Sequence, residues 1–287
     1  MDAELVKELD DKGNVAVEAL VALCNAHDHT NYDTELDGDF YYLVWNDDPE
    51  ESGVDEALFA VLSGYLLGET IDGQPVLEIE AFTHPAMRQI GMFRLCYQSL
   101  LDDFRGYRIR FMIKRPTEDN ASVEGMDTLG KEGEGTAAFA SSGTAFISET
   151  PSLRTATPFV LPDTYETLRA LGATHQYDEL FLQKTLARAI ADPGDSLCNR
   201  YGEVHLTPFS ADTLYLHGLL VYDKYLRQGH GRALMEAVES TPADGPYQQI
   251  LLQVSSTNVI ALHLYQSLGY QETDRVLYFL NAAPHEG

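Results

Sequence analysis

The sequence predicts an α/β protein made of two mixed β-sheets flanked by helices. Three observations predict it. First, TLYLHGLLVYDKYLRQGHGRALMEAV (213–238) and QILLQVSSTNVIALHLYQSLGY (249–270) read as strand, glycine turn, helix, strand, helix. Second, the same layout recurs 138 residues earlier, where Gly91 of HPAMRQIGMFRL takes the place of Gly229 in YDKYLRQGHGRAL. Third, the chain of 287 residues is 44% hydrophobic, enough for a packed core and too much for global disorder.

The elements follow in order. Residues 1–26 predict a helix, with Leu5, Leu9, Val17, Leu20, Val21 and Leu23 on its apolar face. Strands are expected over Phe40–Trp45, Ala57–Leu62, Gly64–Ile71 and Val76–Phe82, with turns at 47–53 and at Asp72-Gly73. A helix over Met92–Phe104 precedes a strand over Tyr107–Lys114, and residues 115–135 read as a loop. Ala145–Ile147 reads as a last strand of the first half. Pro151, Pro158 and Pro162 mark the boundary, so the domains expected are 1–152 and 153–287. In the second half, helices are expected over His175–Ile190, Gly231–Ser240 and Asn258–Leu268. Strands are expected over Glu203–Leu206, Thr213–Val221, Gln249–Ser255 and Asp274–Asn281.

Composition excludes several partners. There are 45 acidic and 19 basic residues, a formal net charge of −26, so neither nucleic acid nor an anionic membrane surface is an expected partner. That surface suits solubility and cationic substrates such as amines. Cys24, Cys96 and Cys198 are scattered, so no disulfide framework and no metal site is expected. The acidic start MDAELVKELDDKG is not a signal peptide, and no apolar run reaches ~18 residues, so a cytoplasmic location is expected.

Gly229-His230-Gly231 sits where a strand gives way to a helix. A turn of this kind exposes backbone N–H groups to a pyrophosphate, and the helix N-terminus adds about half a positive charge. Lys224, Arg227, His230 and Arg232 bring side-chain charge to the same place, with Gln228 beside them. Downstream stand Asn258, Ala261, Leu264, Tyr265, Gly269 and Tyr270. The two motifs together resemble the acyl-CoA-binding and C-terminal motifs of the GNAT N-acyltransferase superfamily, and the chain resembles a tandem GNAT protein over most of its length.

The resemblance implies two GNAT-like domains, each a splayed mixed sheet flanked by helices, and acetyl-CoA as acyl donor, with no metal. It implies a cofactor site of Arg227, Gln228, Gly229, His230, Gly231 and Arg232, with Leu219 and Val221 giving main-chain contacts to the pantetheine. Leu226 departs from the family's usual Arg or Gln at the head of the loop. Asn258 would cap its helix and touch the pantetheine arm; a plain N-cap fits it equally well. Tyr265 would protonate the departing thiolate as general acid, in place of merely packing beside Leu262 and Leu268. His217, on the strand leading to the loop, is the candidate general base, and a structural histidine is its competing role; Glu203 is the second candidate.

The first half reads as a degenerate repeat. Its loop, Arg88 to Phe93, has a phenylalanine where the family has Gly or Ala. Matching Gly143 to Gly269 sets Phe139 at the position of Tyr265 and Glu132 at that of Asn258. The function expected is acetyl transfer to a primary amine of a small molecule by direct attack. A non-catalytic acyl-CoA-binding regulator and a protein-lysine acetyltransferase are the alternatives. Neither the acceptor nor the oligomeric state is legible.

Overall fold

The computed structural model describes residues 2–54, 57–116, 160–242 and 245–282. The expected strand Ala145–Ile147 and the matched positions Glu132, Phe139 and Gly143 lie outside these residues, as does the expected boundary at 152/153. The chain forms two compact units: residues 1–176 with 279–287, and residues 177–278.

The N-terminal unit begins with β1 (Glu4–Val6), which pairs with β2 (Phe40–Trp45). The helix expected from residue 1 starts only at Asp11, because the Asp10 side chain accepts the Gly13 N–H at 2.7 Å and caps it. That helix, α1 (Asp11–Asp28), buries Val17, Leu20, Val21 and Cys24, a spacing that puts all four on one face. The two strands expected around residue 63 are one, β3 (Leu58–Ile71). Gly64 runs through its middle because a Cβ there would meet the Phe40 ring at 2.2 Å. β4 (Gln74–Thr83) returns antiparallel to β3. A 3₁₀ turn, Pro85–Met87, then leads to α2 (Met92–Asp103) and β5 (Arg108–Lys114).

The order is β1-β2-β3-β4-β5, antiparallel except for the last pair. The parallel β4–β5 ladder runs from Val76↔Arg108 only to Ile79↔Phe111. Helix α1 packs its apolar face on Tyr41, Leu43, Val61 and Phe82. A helix absent from the sequence expectation, α3 (Pro162–Ala170), opens with proline at its first turn, where the missing N–H costs nothing.

The C-terminal unit overturns one expected element. Residues 175–190 form not a helix but a strand, β6 (Thr174–Ile190). The helix-forming run LARAI suggests the wrong period, while Asp178, Leu180 and Leu182 are buried alternately and set a period of two. Then come β7 (Ser196–Asn199), which the sequence reading lacked, β8 (Gly202–Pro208) and β9 (Thr213–Val221). Helix α4 (His230–Glu239), β10 (Tyr247–Ser255), α5 (Val259–Ser267) and β11 (Gln271–Leu280) complete it. The order is β11-β6-β10-β9-β8-β7, and β9–β10 is the parallel pair. The core gathers Leu182, Val204, Leu214, Leu216, Met235, Val238, Ile250, Leu252 and Tyr265 between the sheet and helices α4 and α5. The α/β class and the mixed sheets read from the sequence are therefore present in both units. Among the described residues no helix is long and apolar enough to cross a membrane.

Candidate functional site

The centre of the C-terminal unit is the place where two parallel strands part. β9 and β10 pair from Thr213↔Gln249 to Leu216↔Leu252, and the ladder stops there. His217 to Val221 run on without β10. Across the other edge, β8 pairs Glu203 with Leu220 and His205 with His217, so β9 carries an extra residue, a bulge. Gly218 makes it. Its φ is +60, and a Cβ would stand 2.9 Å from His205 Cδ2. Sequence reading passed over Gly218, although a lone glycine inside the apolar strand LHGLLV is the signal for a bulge.

Beyond the bulge, Leu219 and Val221 are half-buried while Leu220 is 49% exposed. Backbone groups on a strand edge with no neighbour are free to pair with an extended ligand.

Past β9, a 3₁₀ turn at Asp223–Tyr225 leads into the glycine loop. Arg227 has φ +59 and Gly229 φ +83. Gly229 is the N-cap of α4 and supplies no side-chain cap. The first intrahelical bond runs from the Ala233 N–H to the Gly229 carbonyl, which leaves the N–H groups of the first turn for another acceptor. Space around Gly229 is open, with nothing within 4 Å of a built Cβ. Gly231 is different: a Cβ there would lie 3.3 Å from Leu264 Cδ2 and 3.6 Å from Val221 Cγ2. Its smallness serves the packing of α4 against α5 and β9, rather than access to the loop.

Side chains around the loop are partly committed. The Gln228 amide donates to the Lys224 carbonyl at 3.1 Å, and Arg232 donates to the Ser267 hydroxyl at 2.6 Å. The His230 ring stacks on Tyr201, centroids 3.8 Å apart and planes 11° apart, and Arg200 lies over the same Tyr201 ring at 4.6 Å. Tyr201 and Arg200, at the β7–β8 turn, carry no signal in the sequence because stacking of a turn on a helix start 29 residues away leaves no local pattern.

Helix α5 opens at Asn258, whose side chain accepts the Ala261 N–H at 3.2 Å and so caps it. Tyr265, about two turns further on, is 6% exposed, its ring 5.9 Å from that of Tyr270. Burial pushes the Tyr265 phenol up to about 12, so it keeps its proton at neutral pH. Its hydroxyl has no hydrogen-bond partner among the described residues.

The sheet face away from α4 carries a polar row. His217 is exposed, with its ring 5.6 Å from those of both Tyr215 and His205. His217 Nε2 lies 3.3 Å from the Thr207 hydroxyl, and the Tyr215 hydroxyl donates to the Gln253 side chain at 3.0 Å. Glu203 is half-buried on β8. Glu179, on β6, was not singled out by sequence. Burial raises its carboxyl above the ordinary glutamate value, and its charge acts on Tyr215. The structure thus sets His217, Tyr215, His205 and Thr207 together and leaves Tyr265 on a separate element.

The N-terminal loop copies the backbone of the C-terminal one. Gln89 and Gly91 have φ +62 and +102, the counterparts of Arg227 and Gly229, and Gly91 likewise caps its helix without a side chain. Its arginine is occupied, however: Arg88 holds Asp28 through two bonds of 2.7 and 2.6 Å. Phe93, at the position of Gly231, stacks on Tyr97 at 5.5 Å.

Residues 189–272 match the family model of the acetyltransferase (GNAT) domain. No curated protein matches the chain by sequence. Among solved structures, the chain is similar to a GCN5-related N-acetyltransferase from Sphaerobacter thermophilus, with 11% identity and a TM-score of 0.58 over 97% of this chain and 95% of that one. It is also similar to a tandem GNAT protein from the clavulanic acid biosynthesis pathway, with 11% identity and a TM-score of 0.56 over the full length of both. At such identities these likenesses speak for the fold, which spans nearly the whole chain. The GNAT domain model thus falls on the part of the chain that bears the splayed strands and the glycine loop.

Proposed function

We propose that the protein transfers an acetyl group from acetyl-CoA to a primary amine of a small molecule, using one acyl-CoA site in its C-terminal half. The observation that carries this reading is the coincidence, on one strand, of the Gly218 bulge, the free edge from His217 to Val221 and the αL glycine loop that opens α4. The loop's N–H groups would hold the pyrophosphate, with Arg227, Gln228, His230 and Arg232 around it. The free edge at Leu219 and Val221 would pair with the pantetheine, and an edge N–H would polarise the thioester carbonyl. Asn258 would turn its backbone toward the pantetheine arm, its side chain being used in the cap.

The amine nitrogen would attack the carbonyl carbon directly. As the C–S bond breaks, Tyr265 would give its phenolic proton to the sulfur. His217 would take the proton lost by the amine, directly or through water, with Thr207 and Tyr215 holding its ring. Acetyl-CoA here is a substrate, and no step calls for a metal.

A panel of amines incubated with acetyl-CoA, read by thiol release and by mass of the product, tests the reading. Amine-dependent release of one thiol per acetylated product supports it. Tight acetyl-CoA binding with no turnover on any amine would favour the regulator, and turnover on lysine peptides alone would favour protein acetylation.

A further inference from the structure

The two parallel pairs end at equivalent places. In the C-terminal unit the ladder stops at Leu216, and the next residue is His217. In the N-terminal unit it stops at Ile79, and the next residue is Glu80. Each unit therefore sets an ionisable side chain at the first position past the fork. Unlike His217, Glu80 is only 7% exposed, and it makes neither an ion pair nor a side-chain hydrogen bond among the described residues. We propose that the N-terminal unit binds a small primary amine, as its aminium ion, at the Glu80 carboxylate.

A carboxylate so deeply buried is costly unless a cation or several donors meet it. The cations nearby are engaged elsewhere. Arg110 holds Glu69 through two bonds of 2.9 Å and lies 3.6 Å from Glu78. Lys114 donates to the Asn31 carbonyl at 3.0 Å and sits over the Tyr32 ring. Opposite Glu80 on β3 is Ser63, fully buried, and Tyr65 lies two residues further along, within reach of the Glu80 charge. Glu78 on β4 and Asp33 on the segment after α1 complete the charged surroundings. Two carboxylates beside the buried one select against an anion. An aminium group supplies the missing charge and three N–H donors for the Glu80 oxygens and the Ser63 and Tyr65 hydroxyls.

The proton affinity of Glu80 fits a group that would meet a cation. Burial pushes the Glu80 carboxyl up to about 7, with Glu78 and Asp33 adding to the rise and Lys114 opposing it. At neutral pH the group is then partly protonated. A bound aminium favours the carboxylate, so the Glu80 O–H bond breaks, its proton goes to solvent, and the amine keeps all of its own. Amine binding is therefore accompanied by proton release. Nothing in this depends on acyl-CoA in the C-terminal unit.

Calorimetry with propylamine and putrescine, at pH 7 in two buffers of different ionisation enthalpy, measures the release; 1-propanol serves as the uncharged control. Wild type should bind both amines with release of a fraction of a proton, and should ignore the alcohol. Glu80→Gln should lose the release and weaken the binding by about tenfold or more, the weight of one lost buried ion pair. His217→Ala should keep both. A second measurement needs no variant: in protein labelled with [13C]carboxyl glutamate, one resonance should titrate near neutrality and move to a lower midpoint when propylamine is added. The proposal is overturned if proton release survives in Glu80→Gln, if His217→Ala abolishes it, or if neither amine moves any glutamate resonance.

Discussion

Leu264 on α5 holds Gly231 on α4 to its size, since a Cβ on Gly231 would stand 3.3 Å from Leu264 Cδ2. The contact ties the glycine loop to the helix that carries Tyr265. It also separates two glycines that look alike in sequence, one constrained by packing and one by backbone.

Gly231→Val should therefore damage stability before it damages the phosphate cradle. Overpacking at such a contact costs about 1–3 kcal/mol. Thermal melts should fall, and acetyl-CoA binding should fall with them; a Gly231→Val protein of unchanged Tm that has lost acetyl-CoA would point back to a direct steric block of the ligand.

Gly229→Ala poses the opposite case. There is room for the methyl group, but φ of +83 strains any residue with a Cβ, at a cost of about 1 kcal/mol. The expected outcome is a modest loss of stability with weaker acetyl-CoA binding, because the first-turn N–H groups re-aim. Calorimetry beside chemical denaturation separates the two effects.

Gly218→Val combines both penalties: φ of +60 and a Cβ 2.9 Å from the His205 ring. Removing the bulge would let β9 follow β10 further. Acetyl-CoA affinity should drop at least tenfold, roughly the 1.4 kcal/mol of one decade, even in protein that stays folded by circular dichroism.

Tyr265→Phe should lower kcat and kcat/KM together by about 10²-fold, at the modest end for a positioned acid, with acetyl-CoA affinity nearly unchanged. The phenol sits at about 12, above its ordinary 10, so it stays protonated across the assay range. Its ionisation accordingly contributes no alkaline fall in activity below about pH 11. Full turnover by the mutant, with chemistry shown to limit the rate, would leave Tyr265 a packing residue.

Glu80 predicts a pH dependence of stability. Its folded pKa, about 7, exceeds the ordinary 4.5, so the native state binds more protons between those values. Stability must then fall as pH rises through that window. Glu80→Gln cannot ionise and escapes the fall, by about 3 kcal/mol at most. Denaturant melts of the two proteins should converge below pH 4.5 and diverge, with the variant more stable, above pH 7.

Much of the fold was legible because its signals are local. The strand β9, the glycine turn and the capped helix at Asn258 each write their pattern into consecutive residues. β6 was misread because the run from Leu186 to Ile190 favours a helix by propensity, and only pairing with β10 decides for a strand. The site divides the same way. Gly229 and Asn258 could be found by spacing. Tyr201 against His230, Glu179 near Tyr215 and the deep burial of Glu80 arise from elements far apart in the chain, which no spacing rule reaches.

The N-terminal unit is discontinuous, and that governs how the protein can be made. Asn281, near the end of the chain, accepts the Ile109 N–H at 2.9 Å with its side chain, while its carbonyl receives Arg108 at 2.8 Å. During synthesis the first half therefore leaves the ribosome with β5 still lacking these partners, and it is completed only once Asn281 has emerged. No single cut yields the two units whole, and a deletion that removes Asn281 acts on the half that is translated first.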